Sequence, residues 1–167
     1  EKQTIYYEFM PRSIKRYGEY SKLDQVVRYL KEHSDVEIID LRDELFKQKR
    51  KYRLYSKTDT HWNDQGAFIG YKQLIVRIVK DFPAISPLEE TNFDIKYETM
   101  KGEYLAAHLG SQRNFYVEDM IKLVPKKMVT FKLLQGNLDR DKITGVVVTE
   151  VDNKNLPRAV IFRDSYT

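Results

Sequence analysis

The sequence predicts a mixed α/β fold in which helices and strands interleave along one domain spanning residues 1–167. Three observations carry this reading. Apolar residues recur with the period of a helix in residues 21–34 and 63–82, each stretch behind a capping residue. They alternate with polar residues over 92–98, the pattern of a half-buried strand. The run AVIF at 159–162 has four apolar residues in sequence and suits a central strand buried on both faces. Residues 92–151 read as a partly antiparallel insertion into this domain.

Taken in order, residues 2–11 hold Ile5, Tyr6, Tyr7 and Phe9 and resemble the tail of a strand running into a loop. Ser21 opens a helix, because its hydroxyl can accept from the first-turn backbone while Asp24, three residues on, completes an approximate capping box. Leu23, Val26, Val27 and Leu30 form one face, and His33 and Ser34 end it. Residues 36–40 (VEIID) have strand length, and Asp40 can cap a short helix carrying Leu41, Leu45 and Phe46. Tyr52, Leu54 and Tyr55 suggest a brief extended stretch. Asn63 then caps the clearest helix, with Asp64 where the helix dipole favours a carboxylate. Its periodic residues are Ala67, Tyr71, Leu74, Ile75, Ile78 and Phe82, and Pro83 stops it. Phe93, Ile95 and Tyr97 mark the alternating strand. Residues 104–109 form a short helix with Gly110 as its left-handed stop. Residues 127–134 and 143–151 are further strand candidates joined through Gln135, Gly136 and Asn137. The run at 159–162 is expected to lie with 36–40 in one mainly parallel sheet, against which the helices around Val26 and Leu74 pack.

Composition narrows the function classes. Hydrophobic residues at 41% and charged residues at 32% allow a true core and exclude a disordered segment. No apolar run is long enough to span a membrane as a helix. The formal charge of +4 is a mild basic bias that favours anionic partners, and with no recognisable nucleic-acid module, nucleic acid is not an expected partner. The chain has no cysteine, which excludes disulfides, thiolate nucleophiles and zinc ribbons but leaves the compartment open. Beginning at Glu1 and stopping at Thr167 just after a strand-like run, it reads as a piece of a longer protein whose signal peptide would have been cut away.

Three places can carry chemistry. The first is Asp59-Thr60-His61-Trp62. An Asp two residues before a His in a pre-helix loop can reach imidazole Nδ1, fix the tautomer and stabilise the imidazolium formed when the ring takes a proton. The alternative is a polar loop in which Asp59 merely caps and His61 is solvated. The second is Ser165 in Arg163-Asp164-Ser165-Tyr166. A serine just past the C-terminal end of a central strand sits where α/β sites form, although Asp-Ser is also a common turn. The third is the basic run Lys47, Lys49, Arg50, Lys51 and Arg53, either a solvated face or an anionic-polymer contact. Trp62 is either a core anchor or a platform for a sugar ring. A metal is not expected, since the only histidines are His33, His61 and His108 and a site at Asp59 and His61 would need a distant third ligand. A phosphate-cradling loop is not expected either, because Gly66 and Gly70 fall inside a helix.

Together these stretches resemble the SGNH-like acyltransferase family that includes the alginate O-acetyltransferases and the DHHW-motif proteins. Lys2, Tyr6 and Pro11 look like its opening segment. Residues 56–67, with Asp59, His61 and Trp62 and continuing to Gly70 and Tyr71, look like its Asp-x-His-Trp signature. Asp164, Ser165 and Tyr166 look like its nucleophile segment, and Gly102-Glu103-Tyr104-Leu105-Ala106 is similar, more weakly, to its Gly-Asp-Leu-Ala segment. Arg163 stands where the family usually has Gly, and Glu103 where it has Asp.

The resemblance implies an SGNH hydrolase-like α/β/α sandwich in circularly permuted order, incomplete at its C-terminus. It implies a periplasmic or extracellular enzyme of the bacterial envelope that moves acetyl groups onto polysaccharide hydroxyls without a cofactor, supplied by an acetyl-donating membrane protein. Ser165 would be the nucleophile, His61 the base and Asp59 its orienting partner, with Trp62, Lys49 and Arg50 toward the substrate. A carbohydrate acetylesterase with the same triad and a noncatalytic polysaccharide-binding or assembly module are the alternatives.

Overall fold

The computed structural model describes residues 2–15, 17–110, 115–127, 130–136 and 146–162. Its helices are α1 (Lys2–Ile5), α2 (Lys22–His33), α3 (Arg42–Gln48), α4 (Asp64–Asp81) and α5 (Tyr104–Ala107). Its strands are β1 (Phe93–Lys101), β2 (Val117–Pro125), β3 (Lys132–Gln135) and β4 (Val148–Glu150). The chain is thus a mixed α/β protein with small antiparallel sheets.

The helix boundaries follow from local chemistry. Ser21 accepts the Asp24 amide through its hydroxyl at 3.1 Å, and the Asp24 carboxylate takes the Ser21 amide at 2.7 Å, closing the capping box of α2. The Ser21 hydroxyl, followed by the Arg42 guanidinium, holds the Asp24 carboxyl well below the usual carboxylate range. Arg42 also reaches Asp40 at 2.5 Å, so one side chain joins the start of α2 to the start of α3. Asn63 caps α4 by accepting the Gly66 amide at 3.1 Å, and Pro83 follows the last turn. Gly110 has φ of +68° just beyond α5, as a left-handed stop requires.

The core lies where α1, α3, α4 and the stretch before the Asp59 loop meet. Ile5, Leu45, Leu54, Tyr55 and Ile69 are its buried members, with Tyr6, Leu41, Tyr52 and Trp62 packed against them. Each fully buried aliphatic side chain there contributes about 1.5–3 kcal/mol. Trp62 needs a flat seat on α4. A Cβ at Gly70 would stand 3.0 Å from its ring, and one at Gly66 would lie 2.7 Å from Trp62 Cβ and run into the Leu54 carbonyl oxygen.

Several expectations are corrected. Residues 2–11 are not a strand tail but α1 followed by a 3-10 turn at Tyr7–Phe9, because Ile5 is drawn into the core and Tyr6 packs beside it. Neither 36–40 nor 159–162 is a strand, and every described strand pairs antiparallel, β1 with β2 and β3 with β4. A strand needs a ladder partner and a face to bury. Val36 is 61% and Phe162 96% exposed, Ile38 and Ile39 are only half-buried, and neither run has a ladder partner, so the expected parallel sheet is absent among the described residues. The helices around Val26 and Leu74 therefore have no parallel sheet to pack on; α4 instead meets β2 of the antiparallel pair, and Val26 and Leu74 are both exposed. On α4 the buried face is Gln65, Gly66, Phe68 and Ile69, not the Leu74 and Phe82 stripe. In the β1–β2 pair, Ile95 and Tyr97 are exposed, while Met120 and Ile121 of β2 are buried, and β2 packs against α4.

Candidate active site

The loop that carries Asp59 and His61 is closed at its neck. Tyr55 and Trp62 form an antiparallel bridge, and the Asn63 amide donates to the Leu54 carbonyl at 3.0 Å. Within the loop, Asp59 is buried and its Oδ1 accepts the His61 backbone amide at 2.9 Å, a turn in which the side chain substitutes for a backbone acceptor. That same turn swings the imidazole back, and Nδ1 stands 2.7 Å from the same Oδ1. The i, i+2 spacing thus generates the carboxylate–imidazole contact directly.

Burial pushes the Asp59 carboxyl upward, but the His61 amide and imidazole and the Thr60 amide outweigh it and hold the group below its ordinary value. Asp59 is therefore ionised at neutral pH. An ionised carboxylate accepts only, so in this contact His61 Nδ1 is the donor. The His61 side chain is 29% exposed, enough to meet a reactant from solvent. A carboxylate held against imidazole Nδ1 is the arrangement that a general base and its orienting partner require.

The loop backbone is held by residues far away in sequence. Lys2 Nζ donates to the carbonyls of Ser56 at 2.5 Å, Lys57 at 3.1 Å and Asp59 at 2.7 Å. The Glu118 carboxylate of β2 accepts the Lys57 amide at 2.8 Å, the Thr58 amide at 3.0 Å and the Thr58 hydroxyl at 2.5 Å, with Arg53 at 3.6 Å. Burial pushes the Glu118 carboxyl upward, and the Thr58 hydroxyl with the two amides and Arg53 more than reverses it. The Glu103 amide donates to Thr58 Oγ1 at 3.0 Å and the Leu105 amide to the Thr58 carbonyl at 2.8 Å, so the 102–106 segment lies against the loop. Nothing in the sequence singled out Glu118. Its one signal is an acidic residue between the apolar Val117 and Met120 in a segment of strand length.

The other candidates fall out as follows. Trp62 packs half-buried on the core beside α4. Lys49 is engaged: its ammonium donates to the Ile5 carbonyl at 2.5 Å and to Glu8 at 2.9 Å, joining α1 to the end of α3. Arg50 is exposed and, with Tyr6, Phe9, Tyr55 and Lys57, lines a groove of about 750 Å³ that reaches Thr60. Ser165, like all of residues 163–167, lies outside the described residues, and the argument from a strand edge is withdrawn with the strand at 159–162. Among the described residues, no cluster of three or more His, Asp or Glu is placed to hold a metal ion, and no helix is long and apolar enough to cross a membrane.

Comparison with known proteins places this geometry. No curated protein matches the sequence. A structure of Bacillus cereus PatB1 with a sulfonyl adduct aligns at 20% identity with a TM-score of 0.55, covering 90% of this chain and 46% of that one. A second structure of Bacillus cereus PatB1 aligns at 20% identity with a TM-score of 0.53, over 90% of this chain and 50% of that one. At that identity they show a shared fold, and the chain spans about half the length of the structures it matches. The family described as the SGNH hydrolase-like domain of the acetyltransferase AlgX matches residues 1–128, which include the Asp59 and His61 loop and both residues that grip its backbone. The chain belongs to this SGNH hydrolase-like acetyltransferase family.

Proposed function

We propose that the chain carries the base-bearing part of an O-acetyltransferase that modifies hydroxyls of a polysaccharide outside the cytoplasm. Asp59, His61 and Ser165 act together through an acetyl-serine intermediate. The observation that carries this reading is the 2.7 Å contact of His61 Nδ1 with an ionised Asp59, in a chain of an acetyltransferase family.

In the proposed cycle, His61 Nε2 takes the Ser165 hydroxyl proton as Oγ attacks the acetyl carbonyl of an activated ester donor. The imidazolium, held by Asp59, returns that proton to the departing group, and the acetyl group remains as an ester on Ser165. A sugar hydroxyl then gives its proton to Nε2 and attacks the ester carbon. The C–O bond to Ser165 breaks, and Oγ recovers the proton. No redox step or cofactor enters this balance. The acceptor would approach along the groove that reaches Thr60, which Arg50 lines. A membrane protein would supply the acetyl group, with transfer in the periplasm or at the cell surface.

The test is to incubate the complete protein with a small acetyl ester, quench in acid and map acetylated peptides. Acetyl is expected on Ser165, absent from Ser165→Ala and greatly slowed in His61→Ala. Acetylation confined to other residues, or unaffected by His61→Ala, would overturn the proposal.

A further inference from the structure

A half-buried cation, Lys2, and a buried carboxylate, Glu118, grip opposite sides of the loop that holds Asp59. An ammonium has three donors, and the three of Lys2 are taken by the carbonyls of Ser56, Lys57 and Asp59. The Glu118 side chain is 1% exposed, and its carboxylate takes the two amides and the hydroxyl on the other side together with Arg53. Lys2 thereby has no donor left for a substrate, and the Glu118 carboxylate is shut away from solvent against the loop. Lys2 lies in α1 and Glu118 in β2, so the loop is tied to two elements far from it in sequence.

The consequence reaches the reacting atoms through one residue. The Asp59 carbonyl is fixed by Lys2, and the Asp59 carboxylate fixes both the amide and the ring of His61. A hydrogen-bonded loop without this grip would keep the Asp59 to His61 contact only part of the time. Displacing a base by about 1 Å costs up to about 100-fold in rate.

We propose that Lys2 and Glu118 are positioning residues that clamp the carbonyl and amide sides of residues 56–59 and so set the Asp59 carboxylate against His61 Nδ1. This rests on the reading of His61 as the general base.

The test uses the complete protein with p-nitrophenyl acetate, a probe too small to contact the loop's supports. Lys2→Met and Glu118→Gln should each lower kcat by about 10- to 100-fold while KM changes less than about 2-fold, as expected for lost alignment of a base. Lys2→Arg, which keeps the charge but presents a planar fork, should restore only part of the rate. Independently of turnover, the His61 Nδ1 proton resonance should shift or broaden in both variants, and Lys57 and Thr58 amide exchange should accelerate in Glu118→Gln. A role confined to stability would lower the melting temperature and leave kcat and that resonance at wild-type values in the folded protein. That result would overturn the proposal. Should Lys2→Met fail to fold, Glu118→Gln, which keeps the volume, decides the matter alone. Ser165→Ala and His61→Ala run alongside. If they retain activity, the general-base reading fails, and the resonance and exchange data still judge the clamp.

Discussion

The loop at residues 56–61 and the extended runs at 36–40 and 159–162 are all irregular backbone, yet they are held in opposite ways. The loop is polar and buried at Ser56 and Asp59, and its peptide groups are bonded to Lys2, Glu118 and the 103–105 segment. The two runs carry apolar side chains without a ladder partner: Val36, Val160, Ile161 and Phe162 lie open to solvent, and Ile38 and Ile39 are half-buried. Apolar content alone therefore does not place a segment in the interior. Order here comes from partners, and a buried loop is ordered by satisfying each polar group it takes out of water.

The sharpest way to break this contrast is at the reacting groups. His61→Ala and Ser165→Ala should each lower acetyl transfer by about 10³-fold or more, and the double variant should be scarcely worse, because base and nucleophile act in one step. Multiplying losses in a transfer assay would show that the two residues do not act together.

The Asp59–His61 contact was legible in the sequence for a local reason. An Asp two residues before a His needs one turn to bring carboxylate and ring together, and Ser21, Asn63 and Gly110 are likewise read from neighbours along the chain. Lys2 was singled out only as part of the opening segment and Glu118 not at all, and their grip on the loop was not legible, because both meet residues more than fifty positions away. The strand at β2 was missed because Glu118 and Asp119 interrupt its apolar pattern, and Glu118 is buried only because the loop needs its carboxylate. The run AVIF was read as a strand on its own composition. Strand formation is settled by a ladder partner, which composition does not report.

Packing gives the next largest effect. Leu45→Ala should cost about 2–5 kcal/mol, since the side chain is fully buried in the core, and Gly66→Ala about 1–3 kcal/mol, because its Cβ would meet the Leu54 backbone. Phe162→Ala, at the exposed end of the contrast, should stay within about 0.5 kcal/mol. Denaturant midpoints measure all of them. Equal losses for Leu45→Ala and Phe162→Ala would erase the distinction between the two regions.

Acid sharpens it further. Asp59 and Glu118 are both held below their ordinary values of 3.8 and 4.5. In that window the unfolded chain binds more protons than the folded one, so stability rises with pH. Their contribution should be complete above about pH 5 and be lost as pH falls through the depressed values, below about pH 4. Urea unfolding between pH 7 and 3 should show this loss, and Glu118→Gln should lose less over the same range. An identical acid dependence in the variant would remove Glu118 from the account.

The most direct measurement of the central claim is the protonation of the His61 ring in the complete protein, read by 15N NMR at neutral pH. The account predicts the neutral imidazole with its proton on Nδ1, hydrogen-bonded to Asp59, and a lone pair on Nε2; Asp59→Asn should disturb that tautomer and transfer activity together. A ring protonated on Nε2, with Nδ1 indifferent to Asp59→Asn, would contradict it.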